Sequence, residues 1–299
     1  ASVVKTTENK IKDMLVKRYN LHELHSYVWA YNDELKAIDI PVEDNVKLAN
    51  ATNPNIETLR NSIVPTQLCQ IKSNLSFSND FGIFEIGRVV NGLDENGLCI
   101  ENKKLAITLY SKTRNVKDIY FELRDILAVV TDEIKHKALT FEKAEPTHSY
   151  EHPVNLYSVC LDGRNIGTIG IVHPTVSKKI DKKAAIVFAE IDVNAYANTD
   201  AAPIVYDEPS KFPPMDYDIS IEVPQGMFFS HLAECWKNEG GEILKSTKIV
   251  DTYDTDTVHS VTIRFEFSSN ERTLSSAEVQ KIMDKIISNL SENGVKLRG

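Results

Sequence analysis

No two of the four cysteines (Cys69, Cys99, Cys160 and Cys235) stand at CxxC or CxxxxC spacing, which argues against a zinc knuckle. Their scattering predicts free thiols in a reducing, cytoplasmic setting. No run of about 18 apolar residues occurs, so no transmembrane helix is expected. There is no secretory leader pattern. The start, ASVVKTTENKIKDML, is polar, lacks an initiator Met and enters a helical pattern at once, as expected of a processed or excised chain. Gly-rich phosphate cradles (GxGxxG, GxxxxGK[ST]) and the GxSxG elbow are missing. Positive charge is also short: 34 Lys+Arg face 43 Asp+Glu, a net charge of −9. General DNA binding needs a basic face, so a DNA partner is not expected, while a local RNA contact stays open. His148 and His152 are bracketed by Pro146 and Pro153, which breaks any shared helical face, and no metal site is expected.

What remains is an ordinary globular composition, 42% hydrophobic and 26% charged, over a length suited to two domains. Residues 5–19 predict a helix capped by Thr6 or Thr7, with Ile11, Met14 and Leu15 on one face. ELHSYVWAY (23–31) reads as a strand apolar on both sides, Trp29 included, and therefore buried or at an interface. Asn53-Pro54-Asn55 is turn chemistry. Pro65 opens a helix, with Ser62 as a possible cap. Strands are predicted at 81–90, 104–110, 154–160, 164–172 and 185–191, with a tight hairpin at Asn91-Gly92 and a helix at 120–134. Helices and strands do not alternate as βαβ units, which favours α+β with a largely antiparallel sheet.

Residues 195–214 hold four of the eleven prolines and read as connecting chain, with the linker proper at 201–210. The domains are therefore 1–200 and 211–299. The second reads β (216–222), α (225–238), β (248–253), β (260–267), α (275–290), β (295–297), a ferredoxin-like βαββαβ order. Ser275 and Glu278 form a capping-box pair at its last helix.

The string LANATNPNIETLRNSIVPTQL resembles the phenylalanyl-tRNA synthetase beta subunit family. The matching pieces are Asn53-Pro54, Leu59-Arg60-x-Ser62-x-x-Pro65, Asn74 and Phe84-Glu85-Ile86-Gly87. His152-Pro153 fits too, as does Ile166-Gly167 through Gly170 to His173-Pro174. Lys211-Phe-Pro-Pro214, Asp218-Ile219, Asp251-Thr-Tyr253, Arg272-Thr273-Leu274 and the terminal Leu297-Arg298-Gly299 look like that subunit's anticodon-binding domain. The resemblance implies the C-terminal portion of a longer subunit. It would comprise a class II synthetase-like module that has lost its catalytic site, then the ferredoxin-like module. The whole ligase would use ATP and Mg²⁺ in the cytoplasm, with this segment binding neither. Partners would be the catalytic alpha subunit, tRNA and a second beta subunit in a heterotetramer, with no membrane.

The residues agree that a catalytic set is missing. No Arg follows IGTIGIVHPTV, where the resemblance places a phosphate-binding one; Lys178 and Lys179 are the nearest cations. Arg60 reads either as a phosphate clamp or as an Arg pinning its loop through an ion pair or carbonyl, with Glu57 and Glu85 as available partners. The paired acids Asp207-Glu208 read as solvated. In the second domain, period-two alternation puts Ser220, Thr262, Arg264 and Tyr253 on the open sheet face, joined by Arg298, as a platform for tRNA. Pairing of Arg264 with Asp251 is the plain structural alternative, and Val250 is expected in the core. Tyr217 stands where the family resemblance calls for Arg. The resemblance implies that Ile11, Met14, Leu15 and Trp29 are the alpha-subunit interface, with a helix packed in the unit's own core as the plain alternative. An independent enzyme and a protein-binding scaffold without an RNA role are the competing readings.

Overall fold

Two units make up the chain, Ala1–Ile204 and Val205–Gly299. The structure, a computed structural model, describes all residues except 1, 30, 43, 44, 205, 207–209, 225, 228, 256, 257 and 299. The acids Asp207 and Glu208 and the terminal Gly299 therefore lie outside the described residues.

Unit 1 begins with α1 (Val3–Lys17), capped by Ser2, whose hydroxyl accepts the Lys5 N–H. The expected caps Thr6 and Thr7 lie inside the helix. Then follow β1 (His22–Glu23), α2 (Asn32–Ala37), α3 (Val64–Ser73), β2 (Asp80–Leu93) and β3 (Cys99–Ser111). The unit continues with α4 (Val116–Lys135), β4 (Thr140–Lys143), β5 (Glu151–Leu161), β6 (Arg164–Val172), α5 (Pro174–Ile180), β7 (Ala185–Asp192) and α6 (Val193–Asn198). The strands form one sheet in the order β1-β2-β3-β7-β6-β5-β4. Only β1 and β2 pair parallel; the other neighbours are antiparallel.

Alternation along the central strands feeds two cores. Leu105, Ile107 and Leu109 of β3 and Val187, Ala189 and Ile191 of β7 pack with α1, α4 and α6. Ala106 and Tyr110, with Ile186 and Phe188, pack on the other side with α2, α3 and α5. Fully burying one such aliphatic or aromatic side chain contributes about 1.5–3 kcal/mol, so both faces of these strands have to be apolar.

Three local expectations change. The predicted strand 23–31 pairs only at 22–23 and through an isolated bridge between Trp29 and Leu59. The Ser26 N–H donates to the Glu85 carboxylate at 3.3 Å, so a side chain occupies that donor. Asn91-Gly92 is not the hairpin turn but a register shift within β2, with Gly92 at φ +92°. The turn lies at Asp94–Gly97, where the Asp94 carboxylate accepts the N–H groups of Asn96 and Leu98. Part of the expected connecting stretch belongs to unit 1: Tyr196 is 4% exposed, and Lys135 donates to the carbonyls of Ala197 and Thr199 at the end of α6.

Unit 2 runs β8 (Met215–Glu222), α7 (Phe229–Glu234), β9 (Leu244–Asp254), β10 (His259–Phe267), α8 (Ser276–Glu292) and β11 (Lys296–Leu297). The antiparallel sheet has the order β11-β8-β10-β9, the ferredoxin-like arrangement. α8 carries the expected capping box and buries Val279, Met283, Ile286 and Leu290. The helix expected over 225–238 is shorter. After α7 the chain turns, which sinks Trp236 edge-on against Phe265 at 5.3 Å between ring centroids. Val250 is 50% exposed rather than in the core. The register slips between Thr262 and Ile263, so Thr262 faces Asp251 while Ile263 faces Ile249. Val250 is the extra, bulged residue.

Candidate nucleic-acid interface

The Arg60 segment is an anchor. Arg60 Nη2 donates to Glu85 Oε1 at 2.8 Å, Nη1 to Ser26 Oγ at 2.5 Å, and Nε to the Arg88 carbonyl at 3.1 Å. Ser26 Oγ in turn donates to Glu85 Oε2 at 2.6 Å. Of the two acids considered for Arg60, Glu57 pairs with Lys47 instead. A Cβ on Gly87 would lie 2.6 Å from Arg60 Nη2 and 2.7 Å from Glu85 Oε1, so the glycine makes room for the pair. Next in sequence, Ser62 Oγ and the Ile63 N–H both donate to Glu190 Oε1, and Lys104 Nζ donates to its other oxygen at 2.8 Å. An acid from β7 thus meets the start of α3, where the helix dipole favours a negative charge. Ser62 Oγ also lies 2.9 Å from Tyr150 Oη, and Gln67 ties α3 to Thr108 and the Ala106 carbonyl. Gly167 lets β6 approach β7: a Cβ there would lie 2.1 Å from the Glu190 carbonyl oxygen. These residues close polar groups against one another in the interior.

The expected subunit-interface residues separate. Ile11 is 2% and Leu15 0% exposed, both within the unit's own core beside α4 and β3. In the lone chain the unit's own core therefore covers these two side chains. Met14 is partly buried against the same core. Trp29 is half-buried and stacks on the exposed Tyr27, with ring centroids 4.6 Å apart and planes at 5°.

In unit 2 the open face of the sheet carries the five predicted residues. Ser220 and Thr262 are register partners, with hydroxyls 2.8 Å apart. Arg298 donates its backbone N–H to the Ser220 carbonyl at 2.8 Å. Its guanidinium lies 5.0 Å from the centre of the Tyr253 ring, although β11 and β9 are opposite edges of the sheet. The short side chains of Ser220 and Thr262 leave the space for that crossing. Arg264 pairs with Asp218, not with Asp251: Nε and Nη2 reach the two carboxylate oxygens at 2.8 and 2.7 Å. Asp216 lies 3.8 Å away. The Asp218 hydrogen bonds push the Arg264 pKa further up, and the same contact holds Asp218 below its ordinary value. Tyr217 turns to the helix side, where its hydroxyl donates to Gln280. The acids Asp216 and Asp218 complete this surface. Their partnership with Arg264 follows from strand register, which sequence alternation by itself does not supply.

Among the described residues no helix is long and apolar enough to cross a membrane, and no group of three or more His, Cys, Asp or Glu is placed to hold a metal ion. Residues 2–193 match the family described as phenylalanyl tRNA synthetase beta chain CLM domain. The chain belongs to this family. Residues 210–298 match the ferredoxin-fold anticodon binding domain.

Similar proteins include the phenylalanine–tRNA ligase beta subunits of Staphylococcus haemolyticus and Bacillus subtilis. The first is 29% identical over 293 residues, covering 93% of this chain and 36% of the relative. The second is 26% identical over 279 residues, covering 88% and 34%. The beta subunit of Aquifex aeolicus is 25% identical over 302 residues, covering 97% and 38%. The chain thus spans about a third of the length of these relatives. Within the phenylalanyl-tRNA synthetase beta chain family resemblance, the strings that carry it are architectural here. LRNS and FEIG supply the Arg60–Glu85 pair, the Ser62–Glu190 contact and the glycine that admits the guanidinium.

Proposed function

We propose that this chain is the C-terminal part of a phenylalanine–tRNA ligase beta subunit. It contributes unit 1 as a non-catalytic scaffold for the alpha subunit and unit 2 as a surface for the anticodon region of tRNA. The ligase as a whole, an alpha/beta heterotetramer with two beta subunits, works in the cytoplasm and uses ATP and Mg²⁺ in its alpha subunit. Three features support the scaffold role: Arg60, Lys104 and Glu85 are engaged inside unit 1, Trp29 and Tyr27 offer aromatic surface, and the family match spans the unit.

One observation carries the tRNA reading. Tyr253 is 52% exposed on an open ferredoxin-like sheet, with the Arg298 guanidinium over its ring. A base stacks on such a ring, and the guanidinium supplies a second planar face or a phosphate contact. Charge limits the affinity. From Tyr206 onward 10 Lys+Arg meet 16 Asp+Glu, a net −6, and Arg264 is held by Asp218. The same charge balance favours the second reading, a protein-binding scaffold that retains the fold without an RNA role.

Titration of tRNA against the chain at low salt separates the two. Stacking on an aromatic is worth about 1–3 kcal/mol per base, so Tyr253→Ala should weaken binding by about fivefold or more. Few phosphate contacts should make the salt dependence shallow. No binding by the wild type leaves the scaffold reading in place, and equal binding by the wild type and Tyr253→Ala removes the ring from the tRNA contact.

A further inference from the structure

Between the 22–31 segment and α3 lies a cavity of about 230 Å³, walled in part by the Tyr27 and Trp29 rings that the scaffold reading counts as surface. Tyr27, Trp29 and Tyr31 supply an aromatic wall, and Thr66 and Gln70 of α3 line the other side. Two of these side chains carry buried polar atoms without a hydrogen-bond partner, Trp29 Nε1 and Thr66 Oγ1. Glu34, also in the lining, is exposed and has no ion pair among the described residues. The other lining carboxylate, Glu85, is taken by Arg60 and Ser26.

A buried indole N–H with no acceptor is costly, and it is retained where something supplies the acceptor. An aromatic wall attracts a cation through its ring quadrupoles, and a free carboxylate adds the matching charge. The indole N–H and the hydroxyl call for an oxygen on the ligand. We propose that this cavity binds a small protonated aromatic amine bearing a hydroxyl or carbonyl oxygen. The ring lies against the Tyr27–Trp29 stack, the oxygen accepts from Trp29 Nε1 or meets Thr66 Oγ1, and the ammonium faces Glu34.

The chain has two tryptophans, so its ¹⁵N spectrum has two indole N–H signals. Trp29→Phe identifies the one in the cavity, and Trp236, buried in unit 2, is the internal control. Titration with tyramine should move the Trp29 signal saturably and leave the Trp236 signal in place. The uncharged analogue 4-ethylphenol should bind more weakly and the anion 4-hydroxyphenylacetate more weakly still. Glu34→Gln should cost about threefold in tyramine affinity, in line with an exposed charge pair, and the isosteric Thr66→Val should also weaken it. The proposal is overturned if millimolar tyramine gives no saturable shift, if the anion binds as tightly as the cation, or if Glu34→Gln and Thr66→Val leave the affinity unchanged. A Trp29 signal that moves with none of the three probes means the cavity holds water only.

Discussion

Replacing Arg60 by Met removes one charge from a pair whose side chains are 4% and 3% exposed. The thioether fills much of the stem but makes none of the three hydrogen bonds. Glu85 keeps only the donors of Ser26, and the Arg88 carbonyl loses its partner. Breaking a buried ion pair from one side costs about 3–5 kcal/mol, because the remaining charge stays buried. For a unit of this size each kcal/mol moves the midpoint by about 2–4 °C, so unit 1 should melt about 6–20 °C lower. Fluorescence in a Trp236→Phe background reads unit 1 through Trp29, and urea unfolding gives the free energy. Removing both charges, as Arg60→Met with Glu85→Leu, should recover about 1–3 kcal/mol of the loss expected from adding the single changes. Arg60→Lys keeps the charge but loses the fork geometry and should fall between. If Arg60→Met lies within about 0.5 kcal/mol of wild type, the range of a neutral surface change, the anchoring argument fails and the guanidinium is free to meet a ligand.

Unit 2 should show an acid-sensitive cap. The Arg272 guanidinium, then the Ser275 N–H and hydroxyl, hold the Glu278 pKa at about 2 against an ordinary 4.5. A folded pKa below the unfolded one adds stability that is complete above pH 4.5 and is lost as pH falls towards 2. The urea midpoint of unit 2, read by Trp236, should therefore drop across that window, and Glu278→Gln should flatten the Glu278 part of the dependence; an unchanged profile would contradict the cap. Thiol reactivity should single out Cys99, the one exposed cysteine of the four. Burial pushes the Cys69 thiol up to about 12 and raises Cys160 and Cys235, and the thiolate is the reactive form. Disulfide-exchange labelling of the native chain should show one fast thiol, absent in Cys99→Ser; a second thiol of similar rate would refute the burial assignment.

Much of the architecture is legible in the sequence. The capping box and apolar stripe of α8 are local, so each residue's neighbours in sequence settle them. The positions of β3 and β7 and the βαββαβ order of unit 2 follow from apolar patterning, and Glu85 is one of the two acids the sequence offers Arg60. Other features depend on contacts between distant segments. The stripe Ile11–Leu15 looks the same whether its own sheet or another chain covers it; here its own core does. The strand at 23–31 shrinks because a carboxylate 59 residues away takes the Ser26 N–H. Val250 leaves the core through a one-residue bulge set by strand register.

By itself the sequence determined most of the apolar faces, the capped start of α8, and that unit 2 carries Tyr253 and Ser220 on a sheet surface. Only the tertiary structure decided the partners: Asp218 for Arg264, Arg298 for Tyr253, and an unpaired indole N–H beside a cavity. Periodicity reports the direction in which a side chain leaves the backbone. What it meets there depends on register and packing, which bring together residues far apart in the chain.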